Sequence, residues 1–250
     1  MPIFSTHRRT FFVTLALTLL AALCVIVWLT MYFQNERYEV LPLNPDRSRY
    51  PVRGADISAH NGIVDFEALR NDSLDFVILK ATEGATFKDK NFVNNYRRAR
   101  RAGLKVGAYH FFRFDTPGRL QALNLLHSVR DHQPDLPLVI DIEEANNPKY
   151  IDTDTVLARL ATMVKTLKDN NHRVVIYTNK KGIARFFPNG LTDSTMLWIS
   201  TFTEPHLADR YPWHLWQFTH RGSANGVSGA VDLNTFNGTR EEFALWLEDR

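Results

Sequence analysis

Four carboxylic acids follow short apolar runs, and two of them stand two residues apart. Asp141 and Glu143 end the apolar run at 138–140, whereas Asp56 and Asp232 lie at the ends of two other predicted strands. Because successive side chains point to opposite faces of a strand, Asp141 and Glu143 share one face. Two carboxylates held this close repel each other, so one of them keeps its proton at a raised pKa. A general acid that works near neutral pH needs this property.

Aromatic and polar side chains lie at the ends of the other predicted strands. Aromatic faces stack on sugar rings and paired acids attack glycosidic bonds, so this combination favours a carbohydrate site. A structural role competes with this interpretation, since Lys80 and Glu83 could form an ion pair and each Trp could be buried in a barrel wall. The candidate substrate-binding residues are Tyr109, Phe111, Tyr177, Trp198, Trp216, Gln217, Lys80 and Glu83.

A metal site is the competing use of four carboxylates, because oxygen ligands suit Mg²⁺, Mn²⁺ or Ca²⁺. Such a site would fit a metal-dependent phosphoesterase. The aromatic lining argues against it, and none of the nine histidines has the spacing of a zinc site. We therefore predict neither a metal nor another cofactor.

Eight predicted strands must position these side chains, and they alternate with amphipathic stretches as repeated βα units do. Eight strands in about 200 residues predict an α/β fold, an irregular (β/α)8 TIM-like barrel in which these strand ends share one face. The loops after Ser200 and Phe218 are too short for crossover helices, so the later helices should be degenerate. A doubly wound open sheet is the main alternative, although no Gly-x-Gly-x-x-Gly fingerprint follows the first strand. Strands are predicted at 54–58, 76–81, 105–111, 138–143, 173–178, 196–200, 214–218 and 230–234, and helices at 90–102, 117–131, 155–170, 180–187 and 241–248.

An uncharged segment, from Phe11 to Phe33, precedes the predicted barrel. As a helix it would be about 35 Å long, enough to span a hydrocarbon core of roughly 30 Å. It is apolar on all faces, as a membrane span is, and a cleaved signal peptide has a shorter apolar region that ends at small residues. We therefore predict a short tail at 1–10, an uncleaved transmembrane signal anchor at 11–33, a proline-containing linker at 34–52 and a catalytic domain at 53–250.

Charge and cysteine content limit the partners of this chain. The net charge of +3 comes entirely from residues 1–53, which hold six basic and three acidic residues, and 24 of each remain in the other 197 residues. A nucleic-acid surface driven by bulk charge is therefore not expected. The single cysteine, Cys24, excludes an internal disulfide framework. The four arginines at 97–101 predict a solvated helix face or, alternatively, a contact with anionic lipid.

A series of short motifs occurs in order between residues 53 and 238. They are GADIS (54–58), DF (65–66), KATEG (80–84), GAYHF (107–111), DIE (141–143), YT (177–178), LWI (197–199), WQFT (216–219) and GAVDLN (229–234), with Phe236 and Gly238. Each motif alone is weak. In this order and spacing they resemble the family 25 glycoside hydrolases, the lysozyme-type muramidases that cut bacterial peptidoglycan.

The resemblance implies hydrolysis of the β-1,4 bond between N-acetylmuramic acid and N-acetylglucosamine, with retained configuration and without a metal. It implies that Glu143 protonates the leaving oxygen. Asp141 would assist, either by stabilising a substrate-assisted intermediate or more directly. Asp56 and Asp232 correspond to two further acids that position the substrate and tune the pair. The aromatic residues that contact sugar in the family correspond to Tyr109, Trp198 and Trp216.

Phe202 departs from the family pattern, because the family often has tyrosine at this point after its sixth-strand tryptophan. The ring is kept and the hydroxyl is lost, so the resemblance implies one hydrogen bond fewer in the cleft. Two alternatives stay open: a related hydrolase such as a chitinase, since an Asp-x-Glu strand end also serves chitin cleavage, and a non-catalytic protein that holds glycan strands. We predict a monomer in the cell membrane with a single pass. Its domain should lie on the extracytoplasmic side, because Arg8 and Arg9 favour an inside N-terminus.

Overall fold

The computed structural model describes residues 3–37, 44–189, 196–207 and 211–249, and it describes the side chains in these ranges except those of 3–10 and 32–37. The chain divides into two compact units, Met1–Leu41 and Pro42–Arg250. The first unit holds helix α1 (Ile3–Arg37). Within it, Phe11–Met31 is long and apolar enough to cross a membrane, and its side chains are exposed. The helix therefore covers the predicted anchor and continues into the predicted linker as far as Arg37.

Nine strands are described in the second unit. They are β1 (Arg53–Ile57), β2 (Phe76–Glu83), β3 (Phe87–Lys88), β4 (Lys105–Phe111), β5 (Leu138–Asp141), β6 (Val174–Asn179), β7 (Met196–Ser200), β8 (Trp213–Gly222) and β9 (Val231–Phe236). All except β3 form a closed ring, because β1 pairs with both β2 and β9. The short β3 pairs only with β2. The closed ring excludes the doubly wound open sheet and confirms the predicted barrel.

The last strand of the ring runs against its neighbours. Strand β9 pairs antiparallel with both β8 and β1, whereas the other neighbouring strands of the ring are parallel. Residues 223–230 join β8 to β9, and this connection is too short for the crossover that a parallel pair needs. The barrel is therefore irregular at its last unit, where a hairpin replaces a βα unit.

Helices surround the barrel and close one of its ends. They are α2 (Phe66–Asn71), α3 (Phe92–Arg101), α4 (Gly118–Val129), α5 (Thr153–Asp169), α6 (Lys180–Phe186) and α7 (Arg240–Glu248). The connection from β7 to β8 holds no helix in its described residues, so the expected degeneracy of the later helices is confirmed. Helix α7 closes the end of the barrel where β2 begins. The ring centroid of Phe243 lies 5.6 Å from that of Phe76, and the ring centroid of Trp246 lies 5.4 Å from that of Phe236.

Alternation along the strands divides the apolar side chains into two layers. In β6, for example, Val175 and Tyr177 belong to the cluster inside the barrel, whereas Val174 and Ile176 pack towards the helices. Helix α2 was missed by the sequence prediction, because its six residues are too few to show a helical period. It begins at Asp65, whose carboxylate caps the backbone N–H groups of residues 67 and 68.

The predicted linker at 34–52 is too long, because its last residues pack on the barrel. Tyr50 and Val52 are buried. The Tyr50 hydroxyl donates to Glu204 over 2.8 Å, and its ring lies 5.6 Å from that of Trp216. The buried guanidinium of Arg53 donates to the carbonyl of Pro45 and lies over the Phe218 ring. The barrel unit therefore begins before residue 53.

Candidate active site

The four acids meet at the end of the barrel where the parallel strands finish, which we call the mouth. Asp56 is the last residue but one of β1, and Asp141 ends β5. Glu143 lies two residues beyond β5 rather than within it. Asp232 lies at the start of β9, opposite Asp56 in the register. It reaches the mouth because β9 is antiparallel, and not because a parallel strand ends there.

Asp56 and Asp232 form the first acid pair. Their carboxyl groups hydrogen-bond to each other, which requires a proton on one of them. Burial, followed by the charge of Asp56, raises the pKa of Asp232 to about 9. Burial also raises the pKa of Asp56, although hydrogen bonds from Asn234 and Gln217 oppose the rise. The two groups therefore share one proton over a wide range of pH.

Asp141 and Glu143 form the second acid pair. Burial, followed by the charge of Glu143, raises the pKa of Asp141 well above its ordinary value. Glu143 is half-buried, and it accepts a hydrogen bond from Asn179 Nδ2 over 3.2 Å. Burial raises the pKa of Glu143, the hydrogen bond from Asn179 opposes the rise, and the charge of Asp56 adds to it. Glu143 is the more accessible of two acids that both hold protons more tightly than free carboxylic acids.

Hydrogen bonds hold the backbone at Glu143 although β5 ends two residues earlier. The Asn147 amide donates to the carbonyls of Glu143 and Phe112 over 2.8 and 2.9 Å. The Thr178 hydroxyl donates to the carbonyl of Ile142 over 2.7 Å. These contacts tie the loop after β5 to both neighbouring strands, so Glu143 has a fixed position at the mouth.

Three polar residues of the mouth were missed by the sequence prediction: Asn179, Ser200 and Asn234. The Asn179 Oδ1 atom caps α6, so the amide nitrogen of this side chain faces Glu143. Ser200 donates to Gln217 and Asn234 donates to Asp56. Each of the three follows a predicted site residue by two positions, which places both side chains on the same face of the strand. Asn179 follows Tyr177, Ser200 follows Trp198, and Asn234 follows Asp232. This spacing of two could have identified them from the sequence.

The predicted polar substrate contacts lie at different depths. Tyr177 and Gln217 are buried below the acids, where the Tyr177 hydroxyl donates to Gln217 Oε1 over 2.9 Å and Gln217 Nε2 donates to Asp56 Oδ2 over 3.0 Å. Tyr109 is half-buried beside the acids. Burial first, and then the charges of Asp56 and Asp141, raise the pKa of Tyr109 well above 10. Of the two tyrosines at the mouth, Tyr109 is therefore the more exposed.

Lys80 and Glu83 form an ion pair, which was the structural alternative to substrate binding for these two residues. Lys80 Nζ lies 2.9 Å from Glu83 Oε2, and 5.3 and 5.4 Å from the ring centroids of Phe111 and Phe87. Phe111 is buried, so its ring supports Lys80 rather than a sugar. Lys80 still acts on the acids, because its charge opposes the rise in the pKa of Asp141.

Neither candidate tryptophan is exposed at the mouth. Trp198 lies inside the barrel, 2% exposed, with its ring centroid 4.6 Å from that of Tyr177. Trp216 is 1% exposed and packs outside the barrel wall, where its Nε1 donates to the carbonyl of Thr201 over 2.7 Å. Sugar stacking on Trp216 is therefore wrong, because Gln217 takes the inward position of β8 and its neighbour must point outwards. Trp198 packs beneath the acids and offers no exposed face.

Phe202, which replaces a tyrosine of the family pattern, lies just beyond β7. Its side chain is 39% exposed, and its ring centroid lies 4.6 Å from that of His220. This aromatic face is therefore open to solvent in the loop that follows β7. In the part of the chain that the structure describes, no group of His, Cys, Asp and Glu residues has the arrangement of a metal site.

A groove of about 1210 Å³ lies at the opposite end of the barrel, lined in part by Leu136 and Phe243. Two of the charged residues along it, Arg100 and Asp135, form an ion pair. None of the four acids lines this groove. The candidate chemistry is therefore assigned to the mouth and not to this groove.

His110 lies behind the mouth and gives a test of the barrel wall. Its buried ring bonds to Thr82 Oγ1 over 2.7 Å and to Gln121 Oε1 over 3.0 Å. Burial lowers the pKa of His110 to about 4, against 6.5 in an exposed ring. Between these values the unfolded chain binds more protons than the folded chain, so stability falls as the pH drops from 6.5 to 4.

We expect the variant His110→Asn to lose part of this acid sensitivity. One group contributes at most about 1.4 kcal/mol per pH unit to the slope of the unfolding free energy. Denaturant unfolding at pH 7, 5.5 and 4.5 measures the slope in the wild type and the variant, whatever the variant costs at pH 7. The exposed His60→Asn serves as the control and should keep the wild-type slope. Equal slopes in all three proteins would contradict the prediction.

Comparison with known proteins identifies the family. Residues 55–227 match the family model of the glycosyl hydrolases of family 25. The chain is 30% identical over 207 residues to the uncharacterized protein YegX of Escherichia coli K12, with 80% of this chain and 74% of that protein covered. It is 32% identical over 204 residues to lysozyme M1 of Streptomyces globisporus, with 75% and 68% covered.

Solved structures share the barrel. A family 25 glycosyl hydrolase from Bacillus anthracis matches with a TM-score of 0.73 at 32% identity, covering 82% of this chain and 96% of that one. The bacterial lysozyme of Streptomyces coelicolor matches with a TM-score of 0.71 at 27% identity, covering 79% and 97%. With its barrel matched in both sequence and structure, this chain belongs to the glycosyl hydrolases of family 25 and is a glycoside hydrolase.

Proposed function

We propose that this enzyme is a lysozyme-type hydrolase that cuts peptidoglycan at the β-1,4 bond between N-acetylmuramic acid and N-acetylglucosamine. The observation that carries the proposal is the meeting of two acid pairs, all four acids with raised pKa values, at one mouth of a family 25 barrel. The relatives named as lysozymes support the same substrate class.

Glu143 is proposed as the proton donor. It is the more accessible member of its pair, and its raised pKa keeps it protonated at a pH at which a free carboxylic acid is ionised. Its proton passes to the glycosidic oxygen as the bond from that oxygen to C1 of N-acetylmuramic acid breaks. The resulting Glu143 carboxylate then takes a proton from a water molecule. The oxygen of this water bonds to C1 as the bond from C1 to the oxygen that holds the intermediate, either that of the N-acetyl group or that of Asp141, breaks, and the acid is restored.

Asp141 is proposed to stabilise the positive charge that develops on the sugar. Its Oδ1 atom is buried and has no hydrogen-bond partner among the described residues. A carboxylate oxygen in this position can accept the N–H of the substrate's N-acetyl group as its carbonyl oxygen bonds to C1, or can itself bond to C1. Asp56, Asp232 and Tyr109 surround this point and are proposed to position the sugar.

Product analysis of a peptidoglycan digest tests the proposal. A muramidase leaves new reducing ends on N-acetylmuramic acid, so reduction with borohydride followed by acid hydrolysis should yield muramicitol. Glucosaminitol would instead show cleavage of the other glycosidic bond and would overturn the assignment. Chitin serves as the second substrate: release of reducing ends from chitin but not from peptidoglycan would favour the chitinase alternative. Binding to both without products would favour the non-catalytic alternative.

Helix α1 is proposed to hold the enzyme in the membrane as a single-pass anchor, with the barrel on the extracytoplasmic side, where the wall lies. We expect the full chain to stay in the membrane pellet after washes with high salt and alkaline carbonate, and to be released by detergent. The fragment 42–250, which lacks the apolar span Phe11–Met31, should be soluble and cut peptidoglycan. Release of the full chain by carbonate would contradict the anchor. A reporter enzyme active only outside the cytoplasm, fused after Arg250, tests the orientation.

A further inference from the structure

Two side-chain amides converge on one oxygen of Asp56. Asn234 Nδ2 lies 2.9 Å and Gln217 Nε2 lies 3.0 Å from Asp56 Oδ2. Both amides are buried. The two N–H groups leave Oδ1 as the oxygen of Asp56 that could carry a proton. Hydrogen bonds of this kind are strongest when the acceptor is charged, so the two amides favour the ionised form of Asp56.

The orientation of the Asn234 amide follows from its other partner. Trp198 Nε1 lies 3.0 Å from Asn234 Oδ1. An indole N–H can donate but not accept, so the amide oxygen must face Trp198. The NH₂ group of Asn234 is therefore turned towards Asp56, and Trp198 is what holds it there.

The orientation of the Gln217 amide is set in the same way. Its Oε1 atom accepts hydrogen bonds from the Tyr177 hydroxyl over 2.9 Å and from the Ser200 hydroxyl over 2.8 Å. A flipped amide would direct Oε1 at the carboxylate of Asp56, where two acceptors would face each other. The hydroxyls of β6 and β7 thus direct the NH₂ group of Gln217 at Asp56.

We propose that Gln217 and Asn234 are positioning residues that keep the negative charge of the first acid pair on Asp56 and leave the shared proton on Asp232. Asp56 and Asp232 face each other across β1 and β9 and hydrogen-bond to each other. Since the two donors on Oδ2 stabilise the ionised form of Asp56, the proton between the carboxyl groups resides on Asp232. The high pKa of Asp232, about 9, agrees with this placement.

The charge on Asp56 acts on Asp141 and Glu143, the catalytic acids of the proposed function. The kinetic test of this inference therefore rests on that function. It adds to the rise in the pKa of Glu143 and of Asp141. The amides therefore help Glu143 to keep its proton without touching it. Besides Asp232, Glu143, Asp141, Tyr109 and Tyr177 are the ionisable groups that interact with the charge of Asp56. Lys80 and Glu83 of β2 act on Asp141, and Asp89 after β3 acts on Tyr109.

The pH dependence of kcat/KM for peptidoglycan cleavage by the full chain tests the proposal. In Gln217→Met, Asp56 loses a donor and its pKa rises, so the acidic limb should move to higher pH. Less charge on Asp56 lowers the pKa of Glu143, so the alkaline limb should move to lower pH. Each limb should move by about one pH unit. The buried Gln121→Met, which loses bonds to His110 and Arg113 on the helix side, should leave both limbs in place.

A gentler pair of variants covers the case in which Gln217→Met does not fold. Trp198→Phe leaves Asn234 in place and removes the N–H that orients it, together with part of the ring, so the acidic and alkaline limbs should again move towards each other. Trp216→Phe makes the same change to an equally buried indole, whose N–H bonds to Thr201 outside the barrel. It should leave both limbs of the pH profile in place. A loss of rate at every pH with unmoved limbs in both Gln217→Met and Trp198→Phe would overturn the proposal.

Carbon-13 NMR of the aspartate carboxyl groups tests the placement of the proton without any cleavage. In the full chain in detergent micelles, the carboxyl carbon of Asp232 should titrate in the alkaline range and that of Asp56 at lower pH. The reverse order would overturn the proposal. If the order is as expected but the chain does not cut peptidoglycan, the proposed function fails and the role of the two amides stands.

Discussion

Replacing Glu143 by Gln should lower the rate of peptidoglycan cleavage by roughly 10²- to 10⁴-fold, the contribution usual for a positioned general acid. Gln has nearly the same shape, but its NH₂ group is far too weak an acid to transfer a proton to the leaving oxygen. The hydrogen bond from Asn179 can still reach the amide oxygen of the new side chain. The barrel should therefore keep its fold while kcat falls, which thermal unfolding and initial rates on purified peptidoglycan can show together.

The neighbouring acid supplies a matched control. Glu144 pairs with Arg185 over 3.0 Å, so Glu144→Gln makes the same chemical change one residue away from the proposed donor. Its rate should stay within a few-fold of the wild type. Wild-type activity in Glu143→Gln would falsify the assignment of the proton donor. An equal loss in Glu143→Gln and Glu144→Gln would show that the loop, and not the acid, had been disturbed.

Gly54→Ala should lower the free energy of unfolding by about 1–3 kcal/mol and reduce activity as well. Gly54 lies inside the barrel, paired with Phe76 of β2, and a Cβ atom there would overlap three carbons of the Phe76 ring. That ring cannot move aside easily, because it is fully buried against Phe243. Strand β1 must shift instead, and Asp56 lies two residues further along it. Denaturant unfolding of the fragment 42–250 measures the loss.

A second substitution can distinguish the overlap with Phe76 from any other destabilising effect of replacing Gly54. In the Gly54→Ala background, Phe76→Leu removes the atoms that the new methyl group meets, so the double variant should be more stable than the sum of the single effects predicts. The coupling should favour the double variant by at least 0.5 kcal/mol, the lower end for residues in contact. Strictly additive losses would show that Phe76 does not limit the space at Gly54.

Local patterning predicted the strands well and their directions less well. The seven parallel strands have long apolar runs because both of their faces are buried, and such runs are visible in a single sequence. The direction of β9 depends on which strands it pairs with at closure, and no local pattern records that. Helix α2 was missed because its six residues are too few to show a helical period. The packing of 44–52 was missed because it depends on contacts with distant residues, such as that of Tyr50 with Glu204.

The candidate site shows the same division between type and direction. Acids after apolar runs could be recognised because a charged group at the end of a buried strand is rare without a function. The direction of the Trp216 side chain could not be predicted from the sequence, since it depends on which residue of β8 points inwards. Once Gln217 is known to bond to Asp56, the outward direction of Trp216 follows. The roles of Asn179 and Asn234 could likewise be recognised only once their hydrogen-bond partners, Glu143 and Asp56, were known.

The closure of the ring between β1 and β9 sets an order in time. Asn234 and Asp56 are 178 residues apart in the sequence, so the bond between them closes almost the whole barrel. Contacts this distant form late, because the entropy of the intervening chain must be lost first. The acid pair of Asp56 and Asp232 is therefore assembled only after the last strand has been made. A chain whose synthesis has not yet reached β9 therefore lacks one of its two acid pairs, and the proposed activity should begin only when the whole barrel is complete.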